Sequence, residues 1–434
     1  MTSEQRRVVL TLGFCGLVSA ADNWFVSPAL PAIAQTLAVA PSVVAVILTA
    51  YLVPYGALQP VCGAIGDRVG RVRLLRVIMA GLAVGTLVCA LAPSLPALVA
   101  ARILTGCFAA GIISVSQALV GDVVSAEERA AAVGLLMGVT FTGQGLSAGL
   151  GGTITELVGW RAAFVCFGAL AAVAWLGVMR LRGVGEREAD GAGAASGVGA
   201  FLSSAVRTFF GPGCAVFLIA FTTGIIYLGV YGFMGTFLAE RCGLSSTPAG
   251  LLMMFYGLAR LAGGSLSGRI GGWRGLRGTI LVGEASGLAA AGLLLVSTVT
   301  GSWVPALVAA ASLGLGYILV QPTLVSLSMD VDPAQTGLCT GLIGFGVFVG
   351  GVGSTLDGFA ISAGGYEALW VAAAVALALQ TAIGWRVLAL EGPRAYARGP
   401  FAYSSGQTNS LRPASPPSMS RFWPVMKRLV TATK

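Results

Sequence analysis

Five ionisable side chains stand inside long apolar stretches of this sequence: Asp22, Arg102, Arg260, Glu284 and Asp357. A charge in hydrocarbon-like surroundings is poorly solvated, so such a residue is a functional candidate by default. Asp22 is the sole acid well inside the apolar runs of the first half. It lies about 14 residues into the first run, roughly 21 Å along a helix. Arg102 lies about five residues before the end of the fourth run, roughly 22 Å across a core some 30 Å thick. The matching depths predict that Asp22 and Arg102 meet across a cavity. Desolvation favours the neutral carboxyl and the guanidinium favours the carboxylate, so a movement separating them would capture or release a proton. A static structural pair, or Asp22 capping an unwound helix end before Pro28, is the rival reading of the same residues. Arg260 and Glu284 read as helix-packing partners, and Asp357, near the outer end of its run, as a solvated group.

Aromatic residues supply the candidate substrate surface. Trp24, Phe25, Tyr51, Tyr55, Tyr227, Tyr231, Phe255 and Tyr256 are expected to border a cleft. Ring faces and phenolic hydroxyls suit a planar or amphipathic organic compound and attract a cation. Half of these rings are equally expected to be ordinary helix packing. Gln321-Pro322 is expected to break the tenth run and expose backbone groups to the cavity. Other chemistry is excluded by composition. The chain has no His, and therefore no imidazole triad, metal site or pH switch. It has no GxxxxGK[ST] phosphate loop and no HExxH. The eight Cys show no CxxC spacing and read as small apolar helix residues. Neither a cofactor nor a metal is expected.

The elements that must position these residues are apolar helices. Of 434 residues, 56% are hydrophobic and 10% charged, and mean hydropathy is +0.87. Soluble domains carry about 25% charged residues, so a soluble enzyme, a disordered chain and a nucleic-acid reader are all excluded. Twelve runs are long enough to cross a bilayer, near 8–30, 43–63, 74–92, 97–119, 132–154, 162–181, 214–237, 248–268, 278–298, 302–326, 338–360 and 368–389. With the N-terminus inside, 22 of the 26 basic residues fall on the cytoplasmic side, against Arg161 and Arg241 outside. That excess predicts both termini in the cytoplasm. Residues 1–181 form one six-helix half and 214–390 the other. Between them 182–213 is a cytoplasmic linker, charged and then rich in Gly, Ala and Ser. Residues 391–434 are a polar tail, with a basic and apolar segment at Arg421–Lys434 that reads as disordered or as lying on the membrane surface.

The halves echo each other. At an offset near 201, Tyr55-Gly56, Gly63, Arg68 and Gly70 correspond to Tyr256-Gly257, Gly264, Arg269 and Gly271. At offset 207, Gly134, Gly143 and Ser147 correspond to Gly341, Gly350 and Ser354. Tandem six-helix halves in one orientation point to a transporter whose site lies between them.

The loop after the second run reads Gly63-Ala-Ile-Gly66-Asp67-Arg68-Val-Gly70-Arg71-Val-Arg73. Gly63 would admit a neighbouring helix, Gly70 would supply a left-handed turn, and Asp67 could accept from Arg68 or Arg71 or face a helix N-terminus. The pattern resembles the G-x-L-x-D-R-x-G-R-[KR] signature of the major facilitator superfamily. Asp22-Asn-Trp-Phe-Val-Ser-Pro28 looks like the end of the first helix in its drug:proton antiporter branch, while Arg102-Ile-Leu-Thr-Gly106 is similar to the R-x-x-x-G of the superfamily's fourth helix and Gly159-Trp160-Arg161-Ala-Ala-Phe164 to its turn into helix six. The antiporter pattern of helix five departs at Ser147-Ala148, where Gly-Pro is usual, and the repeated loop carries Gly268 in place of an acid. The resemblance implies an all-α integral membrane protein, with twelve transmembrane helices in two pseudo-symmetric halves of the major facilitator fold. It implies Gly63, Asp67, Arg68, Gly70 and Arg71 as a conformational latch and proton-coupled export of small hydrophobic compounds from a bacterial inner membrane. Expected partners are the substrate, protons and lipid, with the protein a monomer. An importer of a small metabolite and a non-transporting membrane sensor are the alternatives.

Overall fold

A computed structural model of the chain describes residues 1–125, 128–181, 198–211, 213–329, 331–332 and 336–390. The linker residues 182–197 and the whole tail lie outside them, with its Arg421–Lys434 segment. A bilayer core offers the backbone no hydrogen bonds, so each crossing must satisfy its own amides as a helix. The first half contains α1 (Ser3–Trp24), α2 (Leu30–Leu37), α3 (Pro41–Val44), α4 (Val46–Val69), α5 (Arg71–Ala90), α6 (Leu95–Ala109), α7 (Ile112–Val123), α8 (Arg129–Val158) and α9 (Trp160–Met179). The short α10 (Val198–Phe209) ends the expected linker as a helix, its Phe209 stacked on Phe217. The second half contains α11 (Cys214–Thr223), α12 (Gly229–Cys242), α13 (Ser246–Thr300), α14 (Trp303–Met329), α15 (Thr336–Val349) and α16 (Gly353–Leu390).

Among the described residues, ten stretches are long and apolar enough to cross a membrane. Two helical segments are too long for one passage. α13 has 55 residues, roughly 82 Å of helix, and folds into two legs at Gly275, where φ is 71°. The 48-residue stretch Leu338–Trp385 turns back at Gly364-Gly365, where Gly365 has φ 71°. Counting these legs gives the expected twelve crossings. The first is longer than the sequence suggests, because α1 passes through a 3₁₀ turn at Ser27–Ala29 into α2. The expected break at Pro322 is absent: α14 runs through it without interruption. A transmembrane helix tolerates the amide lost at proline because neighbouring groups re-satisfy the freed carbonyl.

The halves meet along two seams, α8 against α13 and α4 against α15. Both are glycine-lined. A Cβ on Gly257 would run into Gly145 Cα across the first seam, and one on Gly56 would stand 2.7 Å from Val349 N across the second. Small residues let the backbones touch.

The seams close at one end only. At the end holding the α2–α3 turn, Ser27 Oγ donates to Gly232 O (2.7 Å), Thr49 Oγ1 to Gly351 O (3.1 Å), and Thr355 Oγ1 to Thr49 Oγ1 (2.8 Å). Thr247 N donates to Glu156 Oε2 at 2.7 Å. Towards the end holding the N-terminus, Tyr55 meets Phe348 (4.7 Å) and Gln59 lies against Gly344. About a turn further, Gly63 and Gly341 face open space, as do Gly134 and Gly138 of α8. The expectation that Gly63 receives a packed helix is therefore corrected: the halves diverge there, and it borders the open cleft.

Ser42 and Ser362 hydroxyl oxygens stand 3.4 Å apart at the sealed end. With Ser42→Cys and Ser362→Cys in a background lacking the native cysteines, mild oxidant should join the halves in nearly all molecules. Coupling is read by mass after maleimide labelling. A coupled fraction below about one tenth would show that this end is open.

Candidate functional site

Asp22 sits in the last turn of α1, Thr86 on α5 and Arg102 on α6, all at most 1% exposed. Arg102 Nη1 donates to Asp22 Oδ2 at 2.8 Å and to Asp22 O at 3.3 Å, and Nη2 donates to Asn23 Oδ1 at 3.2 Å. Thr86 Oγ1 donates to Asp22 Oδ1 at 2.7 Å. Both carboxylate oxygens therefore act as acceptors. The guanidinium lies over the Tyr51 ring at 4.3 Å, and Tyr51 OH donates to Ser19 O at 3.2 Å. Arg102 Nε and Asn23 Nδ2 are buried without a hydrogen-bond partner. The cluster thus ties α1, α5 and α6 together, and two of its polar atoms stay unsatisfied.

Two residues from Asp22, Trp24 crosses to the second half. It meets Tyr231 edge-on at 4.9 Å, and Tyr231 stacks on Tyr256 at 4.0 Å. Next to this stack is Arg260, 3% exposed. Its guanidinium lies 4.6 Å from the Phe141 ring, 5.6 Å from Tyr256 and 4.4 Å from Tyr317, and Nη1 donates to Gln144 Oε1 of the first half. Tyr55 stacks on Tyr51 at 5.7 Å and reaches Phe348, completing the wall on the other seam.

Other expected cavity residues lie elsewhere. Phe25 stacks on Phe167 (4.3 Å) and meets Phe164 (4.9 Å), so it packs α1 against α9 inside the first half. Tyr227 donates to Gly283 O at 3.0 Å within the second half, on a π-helical turn (Gly224–Leu228). Phe255 is 41% exposed on the outside of α13. Gln321 is half-buried on the unbroken α14. Arg260 and Glu284 do not pair: Glu284 Oε1 accepts from Gln380 Nε2 at 3.2 Å. Asp357 is not simply solvated, since its Oδ2 is buried beside Gly229 without a hydrogen bond.

In the loop signature, Gly70 has φ 92° between α4 and α5. Arg71 donates to Ala118 O at 2.8 Å and pairs with Asp122, so it sits at the C-terminal end of α7, where a cation is favoured. The side chains of Asp67 and Arg68 lie outside the described residues. Sequence reasoning missed Thr86, Phe141, Gln144, Tyr317 and Asp122. Gln144 alone carried a local signal, as a large polar residue between Gly143 and Gly145.

Buried ionisable groups, an inter-half aromatic wall and glycine seams define a multi-pass membrane protein of two packed helical halves. Residues 12–355 match the Major Facilitator Superfamily, and the chain belongs to that superfamily. It is 34% identical over 149 residues to the multidrug resistance protein fnx1 of Schizosaccharomyces pombe, an alignment covering 34% of this chain and 28% of that relative. It is 26% identical to an uncharacterized MFS-type transporter, YdgK, of Bacillus subtilis over 79% of this chain and 85% of that one. A bacterial homologue of the human lysosomal transporter Spinster, solved inward-facing and occupied, superposes with a TM-score of 0.69 at 16% identity. That match covers 92% of this chain and 100% of the homologue and shows the shared fold.

Breaking a buried ion pair by removing one partner costs about 3–5 kcal/mol. Arg102→Leu should therefore lower the thermal midpoint in detergent more than the double variant Asp22→Asn with Arg102→Leu. Equal midpoints would show that the pair is not desolvated as a unit.

Proposed function

We propose that the protein is a proton-coupled exporter of small hydrophobic or amphipathic compounds in a bacterial inner membrane, with both termini cytoplasmic. The carrying observation is the water-excluded Asp22–Arg102 ion pair, two residues from the inter-half contact of Trp24. A proton on Asp22 cancels one charge of the pair and displaces either the Arg102 or the Thr86 hydrogen bond. The end of α1 is then freed, and with it Ser27, whose bond to Gly232 helps seal the far end. Proton occupancy and the state of that seal are linked in this way. A proton crossing at 100 mV releases about 2.3 kcal/mol, comparable to a few such hydrogen bonds.

The basic-residue count supports a cytoplasmic N-terminus, so the open cleft faces inward. An inward-open state with Asp22 ionised is the resting state of an antiporter that has released its proton and awaits cargo. The name of fnx1 supports export, and the extent of the YdgK match supports a bacterial setting. In the signature loop, Asp67 and Arg68 act with Arg71 as a latch between the halves.

Asp22→Asn should abolish uphill transport in proteoliposomes while leaving downhill substrate counterflow within about threefold, because cavity shape is nearly unchanged. Arg102→Ala should also impair coupling. Substrate-linked proton movement at the wild-type ratio in Asp22→Asn, followed with a pH dye, would remove Asp22 from this role. Asp67→Asn should slow turnover about tenfold at normal expression, and Gly268→Ala much less; a wild-type rate in Asp67→Asn would dismiss the latch.

A further inference from the structure

Arg260 is a buried cation without an acid. Among the described residues its Nη1 donates to the neutral Gln144 side chain, no carboxylate reaches it, and its Nε has no partner. Among the described residues no acid forms a salt bridge with it: Asp22 pairs with Arg102, Glu284 accepts from Gln380, and Asp357 lies beside Gly229. Leaving a guanidinium unpaired in a low-dielectric interior is costly, and the ring faces of Phe141, Tyr256 and Tyr317 offset only part of it, about 2 kcal/mol for a desolvated contact. By contrast, the first half holds its own buried arginine in a matched pair.

The position is equally specific. Arg260 lies on α13 at the seam, directly against α8 of the other half. Gly138, six residues before Gln144 on α8, faces open space. At 1.5 Å per residue that is about 9 Å, so the guanidinium sits at the closed apex of the cleft, with the partly exposed Phe141 between it and the opening. Of the rings expected from sequence to attract a cation, Tyr256 already faces this guanidinium and Tyr51 faces Arg102. A second cation brought there would be repelled.

We propose that Arg260 is the anion-recognition residue of the cleft and that the transported class is aromatic or amphipathic carboxylic acids. The substrate carboxylate takes the Arg260 fork and displaces Gln144, while its apolar body lies against Phe141 and the Tyr231–Tyr256 stack. A planar fork of donors suits a carboxylate, and one guanidinium neutralises one charge, which favours a monoanion. Displacing Gln144 also removes one of the hydrogen bonds joining α8 to α13, so cargo binding loosens the seam that must part. This deepens the export reading and rests on it for the word "transported", but binding itself is measurable without any gradient.

The test is equilibrium binding to the purified full chain at one pH by calorimetry, using 1-naphthoate, the neutral 1-naphthamide and the cationic 1-naphthylmethylammonium. The expected result is naphthoate binding at least tenfold tighter than the amide, or about 1.4 kcal/mol, with the ammonium weaker still. Arg260→Gln should abolish the preference for the anion without weakening the amide, and Arg260→Lys should restore part of it. Equal binding of all three, binding of none, preference for the ammonium, or a preference unchanged in Arg260→Gln would each overturn the proposal. Loss of proton coupling in Asp22→Asn leaves this measurement unaffected, so failure of the two readings is distinguishable.

Discussion

A hydrocarbon core can neither accept a hydrogen bond nor solvate an ion, and that constraint governs what every polar group in this chain does. Backbone amides meet it by forming helices. Side chains meet it by finding partners on other helices, and those partners become structural ties. Asp22, Thr86 and Arg102 bond one another because no water at that depth can replace those partners, and in doing so they join α1, α5 and α6. The tie is specific and also conditional, because a single proton on Asp22 changes its bonding.

The contacts between the halves are of a different kind. Within a half, long side chains interdigitate, as in the Phe25–Phe164–Phe167 cluster. Across the seams, backbone touches backbone at glycine, and hydroxyls donate to carbonyls. Each such hydrogen bond contributes about 1 kcal/mol net, and glycine surfaces carry no knobs that must be withdrawn for one helix to slide on another. The seam is therefore tight yet separable at a free energy that proton movement can supply. The absence of proline at Ala148 fits this arrangement, since Ala148 O lies against Gly250 on the same seam and α8 stays straight enough to follow α13.

Arg260 and Arg102 show how one residue type serves two ends. Both are buried on the aromatic wall and both stand over tyrosine rings. Arg102 has a carboxylate of its own chain and completes a neutral unit. Arg260 has a carboxamide across the seam and keeps its charge.

Hydropathy and the tandem repeat determined the crossings and the two halves, and the Gly63–Arg73 loop signature pointed to the family by resemblance, because these are properties of residues in local order. The five buried ions were legible for the same reason: a charge in an apolar run is conspicuous wherever the run is placed. Partners were legible only where depth alone decided, as for Asp22 and Arg102. Tertiary structure decided the rest. Helix rotation sent Phe25 and Tyr227 into the interiors of the halves and brought Trp24, Tyr231 and Tyr256 to the buried contact between the halves. It also set Gln144 against Arg260, 116 residues apart. Which end is open, and so why Gly63 meets no helix, is not encoded along the chain at all. The same sequence must support two packings of similar free energy, and only the non-local contacts between the halves distinguish them.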